Sequence, residues 1–338
     1  MKSCRILAVL CVGVFAIAVA QATTLTVGSG KEYSTVQSAV NALPSTGGTI
    51  DIYSGTYTEV VTVSKPNVQL RGQSTASSVV ITYNNSAATK GSTSASATMT
   101  VTSAATNFFA DNLTIQNTYD ITNGQDGSGA QAVALYLYAD RSVLRNVRII
   151  GRQDTLYSDH YGCYSSTDCV AARQYFYDSY IEGNVDFIFG DGTTVFDTCT
   201  IQADEHDNLS DEATITAQDR LYSSETSGFV FWNSTVDSTS GMTALYLGRP
   251  WSAYARVVYI NTVMNASINK AGWIEWVPGS TNYLATAYLG EYDSTGTGAA
   301  GYLDKERESY AKYLTSDSAY APDTFLAGSD GWDPTSIN

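Results

Sequence analysis

Histidine is almost missing from this sequence: His160 and His206 are the only two in 338 residues. His206 lies in ADEHDNLSDE, which reads as a solvated acidic loop, and His160 lies in a loop near two cysteines. A Ser-His-Asp hydrolase needs a placed histidine and a Gly-Xaa-Ser-Xaa-Gly elbow or its equivalent; neither GTGAAG nor GSGAQ provides one. No Cys/His spacing suits zinc. DNLSDE lacks the full pattern of a calcium loop and reads as surface acid, so no metal and no cofactor is expected. Positive charge is scarce too. Lys and Arg number 18 against 33 Asp and Glu, a net charge of −15. A nucleic-acid binder needs a basic face, which this composition excludes. The acidity offers no long-range attraction to a polyanion either, and reads as a contribution to solubility.

Long apolar runs are absent except at the start, where MKSCR precedes the fifteen residues ILAVLCVGVFAIAVA. That run is shorter than the roughly twenty residues of a membrane span. With Ala18-Val19-Ala20 or Ala20-Gln21-Ala22 as the cleavage site, residues 1–22 read as a secretory signal peptide. Residues 23–338 then form one secreted, soluble, extracellular domain with no membrane association, expected to be a monomer. Cys4 and Cys11 leave with the leader, and Cys163, Cys169 and Cys199 remain. A short Cys163–Cys169 bridge is the favoured pairing, with a bridge to Cys199 still open. Asn-Xaa-Ser/Thr sequons begin at Asn84, Asn112, Asn208, Asn233 and Asn265. Those at 112 and 233 fall in strand-like segments and are discounted as glycosylation sites.

Thr, Ser, Tyr, Val and Ile dominate what is present, which is strand composition. One helix stands out in STVQSAVNALP. Ser34 or Thr35 can cap it, Val36, Ala39, Val40 and Leu43 recur at helical spacing, and Pro44 ends it. A second helix is expected in DKERESYAKYL, residues 304–314. Between them runs a loose repeat: ADNLTIQN, LRNVRIIG, FYDSYIEG, FDTCTIQA, FWNSTVDS and YINTVMNA. Each carries Asn, Asp or Thr (positions 112, 146, 178, 198, 233 and 261) and, three residues on, Ile, Val or Met. An inward ladder of asparagines or aliphatics suits a stacked solenoid, in which each coil buries its face against the next. A β-sandwich or propeller would show hairpin dipeptides, and only Asn123-Gly124 qualifies. The expected fold is all-β: a right-handed parallel β-helix with an N-terminal capping helix and a helical or irregular C-terminal tail.

The stretch EGNVDFIFGDG raises the chemical question. Asp186 sits in a short apolar run closed by Gly183 and Gly190, which reads as a buried strand. An unpaired carboxylate there would cost several kcal/mol, so it needs a partner, a task or both. Other polar groups occupy comparable positions: Gln131 in QAVALYL, Gln153 and Asp154 in GRQDTLYS, Arg249 and Trp251 in YLGRPWS. In a solenoid these segments belong to neighbouring coils and can meet on one face. Two close aspartates cannot both ionise easily, so one stays protonated while Arg249 holds the other as carboxylate. One carboxylate attacks and one acid donates a proton. Two glutamine amides offer donors to an oxyanion, and Trp251 offers a flat face to a sugar ring. Singly, each residue has a plainer reading: a structural ion pair, backbone satisfaction by the glutamines, a core tryptophan. Their combination has none.

GTYTE (55–59), QAVAL (131–135), GRQDTLY (151–157), NVDFIFG (184–190) and LGRPW (247–251) resemble, in order, the five signature regions of the pectin methylesterases. The likeness spans roughly residues 25–330, and the last three motifs are its most specific part. It implies a parallel β-helix acting on methylated homogalacturonan, with Asp186 as nucleophile on the methyl-ester carbonyl. Asp154 becomes the general acid and then the base for water. Gln153 and Gln131 stabilise the oxyanion, Arg249 positions Asp186 and contacts substrate, and Trp251 and Phe189 line the sugar cleft. The segment SDHYGCYSSTDCVAARQYFYDS between the two aspartates is longer than in plant members and closer to microbial ones. It is expected to form a loop beside the cleft. A pectate lyase would need a calcium-binding carboxylate cluster and its own base arginine, and a polygalacturonase would need Asn-Thr-Asp, Asp-Asp and Gly-His-Gly segments; none is found. A generic glycosidase is disfavoured by the glutamines. A non-catalytic carbohydrate-binding β-helix, or an esterase of this fold on another ester, remains the alternative.

Overall fold

A computed structural model describes residues 23–119, 129–160, 172–204, 213–240, 242, 245–301, 307 and 309–337. From Gly48 onward the chain lays down three short strands per coil, beginning with Gly48–Ile52, Gly55–Thr58 and Val61–Val63. The same triplet recurs as Arg173–Tyr177, Tyr180–Gly183 and Val185–Gly190, then as Thr193–Asp197, Thr200–Ala203 and Ala213–Gln218. Each strand pairs in parallel with its counterpart one coil away, which stacks the described strands into three sheets of eleven, eight and seven. This is the expected parallel β-helix. The long segment between the two aspartates is not a loop throughout, because Arg173–Tyr177 is a regular strand of the eleven-stranded sheet. Cys163 and Cys169 lie outside the described residues, as do His206, Asn208 and the DNLSDE segment.

The repeat read in the sequence is the corner between the first and second strands of a coil. Asn112, Asn146, Asp178, Thr198, Asn233 and Asn261 all have positive φ, between 48° and 56°. Asn and Asp tolerate this left-handed conformation better than other side-chain-bearing residues, which explains their recurrence. They face outward rather than into an inward asparagine ladder; the Asn146 side-chain amide donates to Asn112 Oδ1 at 2.7 Å on the surface. Asn112 and Asn233 are therefore corner residues and not strand residues. The inward ladder is the aliphatic one three residues on. Ile115, Ile149, Ile181, Ile201, Val236 and Met264 are fully buried and in register. The eleven-stranded sheet adds a second ladder, in which Phe176, Phe196, Phe231 and Tyr259 stack at centroid distances of 5.1, 4.8 and 4.4 Å. Each such pair contributes about 0.5–1.5 kcal/mol beyond its burial. Cys199 is a free thiol inside this core. Its Sγ lies against the Phe176 and Asp197 carbonyls, and burial pushes its pKa up.

The two ends of the solenoid are closed differently. At the first, the helix Val36–Ala42 is capped by Thr35, whose side chain accepts from Ser38 N–H. The carboxylate of Glu59, the last residue of GTYTE, accepts from Val36 and Gln37 N–H at 2.7 and 2.9 Å. That placement favours a negative charge at a helix N-terminus. At the other end Glu291 follows Tyr259 in the inward register. Arg307 pairs with it at 2.7 Å, and both side chains are almost completely buried. Arg307 also donates to the Asn269 and Gly298 carbonyls. The helix expected over 304–314 does not form as such: 309–310 are turn and Lys312–Tyr313 extends the eleven-stranded sheet.

Candidate active site

Five neighbouring strands of the seven-stranded sheet carry the site: Leu135–Leu137, Leu156–Ser158, Val185–Gly190, Ala213–Gln218 and Leu245–Gly248. Gln131 approaches ahead of the first strand and Gln153 and Asp154 ahead of the second. Asp186 lies on the third, and Arg249 and Trp251 follow the fifth. All six, with Phe189, line one cleft of about 470 Å³. Residues up to 120 positions apart in sequence meet because parallel stacking places equal positions of successive coils 4.7–4.9 Å apart.

The backbone is bent at both carboxylates. Asp154 has φ 61° and Asp186 φ 49°, a conformation that costs of order 1–3 kcal/mol at a residue other than glycine and clusters at functional sites. At Asp186 the ladder is also irregular. Val185 pairs with Thr214 and Ile188 with Thr216, so Asp186 and Phe187 both face the single residue Ile215. Such a bulge re-aims side chains. Phe187 turns into the core, fully buried, and Asp186 turns to the cleft. The glycines around it are required by close packing. A Cβ on Gly190, at φ 107°, would meet the Ser158 carbonyl oxygen at 2.2 Å, and one on Gly183 would meet Phe187 Cβ at 2.2 Å.

The two carboxylates have opposite surroundings. Asp186 is 4 % exposed. Arg249 Nε donates to its Oδ1 and Oδ2 at 2.9 and 3.2 Å, and Nη2 donates to Oδ2 at 2.5 Å. Thr214 Oγ1 donates to Oδ1 at 2.6 Å. Asp154 is held well above the usual carboxylate range, first by burial and then by the charge of Asp186, with Arg249 pulling the other way. The cleft therefore offers an arginine-bound carboxylate beside a protonated carboxylic acid. Gln131 and Gln153 line the same space. Their main-chain carbonyls accept from Ala87 and Ala132 N–H, which ties both segments to the neighbouring chain.

An aromatic wall flanks these groups. Tyr157 stacks on Phe189 at 4.3 Å, and Trp251 tilts against Phe189 at 6.1 Å and against Trp276 at 5.9 Å. The Arg249 guanidinium lies over the Trp276 ring at 4.5 Å. Sequence reasoning missed Thr214, which binds Asp186, and the cleft-lining Trp276 and Ser92–Ser94. Trp276 had a signal, a second tryptophan in the polar stretch GWIEWVPGS. Thr214 had none, since threonine is ordinary in a strand.

A separate buried polar network lies past the opposite ends of these strands. His160 Nδ1 is 3.1 Å from Asp191 Oδ2. Asp191 Oδ1 accepts from the Gln218 amide at 3.3 Å and from Ser227. Burial pushes Asp219 up to about 7. Among the described residues no group of three or more His, Cys, Asp or Glu is arranged to hold a metal.

The pectinesterase family model matches residues 21–329. An Aspergillus niger protein described as probable pectinesterase A is 36 % identical over 316 residues, covering 90 % of this chain and 85 % of its own. The solved pectin methylesterase from carrot superposes with a TM-score of 0.79 at 31 % identity, over 93 % of this chain and 95 % of that one. A pectin methylesterase solved in complex with a hexasaccharide superposes with a TM-score of 0.74 at 27 % identity, over 92 % of this chain and 98 % of that one. With a parallel β-helix throughout and a carboxylate-lined cleft on its seven-stranded sheet, the chain belongs to the pectinesterase family.

Proposed function

We propose that this enzyme, a carboxylic ester hydrolase of the pectin methylesterase type, hydrolyses the methyl esters of polygalacturonate with Asp186 as nucleophile and Asp154 as proton donor. The observation that carries the reading is the contrast between two adjacent carboxyl groups, one bound by Arg249 and the other kept protonated by burial and by its neighbour. A carboxylate oxygen of Asp186 attacks the ester carbonyl carbon, and the carbonyl electron pair moves onto oxygen. The side-chain N–H groups of Gln131 and Gln153 stabilise that oxyanion. Collapse breaks the bond to the methoxy group, which takes the Asp154 proton and leaves as methanol. Asp154, now ionised, removes a proton from water as the water attacks the same carbon. Collapse of this second adduct returns Asp186 as carboxylate and frees the galacturonate carboxyl group.

The aromatic wall supports a sugar polymer as substrate, since flat rings pack on the apolar faces of pyranoses. Trp251 and Phe189 would bear the residues flanking the reacting ester, and Arg249 would serve both Asp186 and a substrate oxygen. The hexasaccharide complex of the related pectin methylesterase favours the same class of ligand. The charged start, apolar run and small-residue site of positions 1–22 support export, so that the enzyme meets pectin outside the cell.

The test is methanol release from highly methylated pectin, with parallel assays for new reducing ends and for unsaturated products. Methanol without chain cleavage is expected. Asp186→Asn is expected to abolish release while the thermal unfolding curve keeps its shape; normal turnover in that variant would refute the assignment of the nucleophile.

A further inference from the structure

We infer that Thr214 is a positioning residue for this esterase: its hydroxyl fixes the direction of the Asp186 carboxylate. The inference rests on the reading of Asp186 as nucleophile. It starts from the bulge. Because Asp186 and Phe187 share one partner residue, the main-chain ladder is interrupted where the nucleophile sits. The Asp186 N–H is buried there and would be left without an acceptor. Thr214 Oγ1 accepts from it at 2.9 Å and donates to Asp186 Oδ1 at 2.6 Å.

The hydrogen-bond directions follow from valence. An amide N–H can only donate, so the threonine oxygen must accept from it. A hydroxyl has a single proton, and the one acceptor it reaches on Asp186 is Oδ1. Thr214 thus closes a ring with the main chain and side chain of the same residue. Such a ring holds both the left-handed backbone, φ 49°, and the side-chain rotamer. It also commits Oδ1 to the acceptor role.

Thr214 and Arg249 grip the carboxylate from different sides. Thr214 is 1 % exposed and lies on the neighbouring strand, its own N–H bound to the Asn184 carbonyl at 3.1 Å. Arg249 reaches in from the cleft and keeps 27 % of its side-chain surface exposed. Arginine supplies the charge, and it lines the cleft. Threonine supplies a fixed reference that does not depend on cleft occupancy. Volume alone does not account for the residue, since valine would fill the same space without the ring.

The experiment compares Thr214→Val, Thr214→Ser and Asp186→Asn with the parent enzyme in methanol release across pH, with thermal unfolding alongside. Thr214→Val is expected to lower kcat about tenfold to a hundredfold, the range for a hydrogen bond to a charged group, with KM changed less than about twofold. Thr214→Ser keeps the hydroxyl and should restore kcat, which a merely space-filling role would not require. Should the valine variant not fold, Thr214→Ala is read by the same split between kcat and KM. Unchanged kcat overturns the inference, and so does a loss of kcat that Thr214→Ser does not restore, or a fall in unfolding temperature without a change in kcat. Asp186→Asn separates the two levels: its inactivity with a normal Thr214→Val sinks only the role of Thr214, whereas its full activity sinks the nucleophile as well.

Discussion

Replacing Arg249 by methionine is the sharpest probe of the electrostatic arrangement. The side chain keeps most of its stem volume and loses the guanidinium, with its contacts to Asp186 at 2.9, 3.2 and 2.5 Å. Removing one partner of a buried pair costs about 3–5 kcal/mol, and the lower end applies because Arg249 is partly solvated. About 3 kcal/mol corresponds to about a hundredfold in rate. The alkaline limb of kcat/KM should move to higher pH, since Arg249 is the group that lowers Asp154. Methanol release from a soluble methyl-esterified oligogalacturonide, measured from neutral to alkaline pH, reads the rate and the limb together. Thermal unfolding gives an independent check: the variant should unfold at a lower temperature than the parent at neutral pH, because a buried carboxylate has lost its partner. A variant with kcat within about threefold of the parent and the alkaline limb in place would refute the reasoning, because a hundredfold effect is expected.

Gln153→Ala should lower kcat by about two to three orders of magnitude, the scale of an oxyanion donor; a smaller loss with a lowered unfolding temperature would make the amide structural. Asp219, pushed up to about 7 by burial, binds its proton more tightly folded than unfolded, so its stabilising contribution is present at low pH and lost as pH rises towards 7. Asp219→Asn should accordingly unfold at a higher temperature than the parent near pH 8, with the difference vanishing below about pH 4. Arg307→Met should destabilise the far end of the solenoid by about 3–5 kcal/mol in denaturant titration, by leaving Glu291 buried and unpaired, while methanol release per folded molecule stays normal.

Much of the architecture was legible because a β-helix writes its geometry into the sequence at fixed offsets. The corner residue and the aliphatic three places later recur in every repeat, and both turned out to mark what a coil requires, a left-handed turn and an inward side chain. Which of the two positions faces inward was not legible. An asparagine looks like a ladder residue until its φ is known, and φ has no signature apart from residue type. The helix expected over 304–314 failed for a related reason. Charge alternation is compatible with a solvated helix and equally with the short strand Lys312–Tyr313 and an arginine that reaches the buried Glu291, and the end of the core decides between them.

The active-site residues were legible one segment at a time because each breaks a local rule. Asp186 interrupts an apolar strand, and Gln153, Asp154 and Arg249 sit where short strand-like runs begin or end. What escaped notice obeys local rules. Thr214 is a threonine in a strand, and its meaning appears only when a register shift on the next strand brings the Asp186 N–H and carboxylate to the same hydroxyl. The bulge is thus where local irregularity becomes function. It removes Asp186 from the ladder, and freedom from the ladder lets the side chain face the cleft. The same freedom would let the backbone drift, so a neighbour must take over the lost hydrogen bond. Regular stacking supplies that neighbour at a set distance.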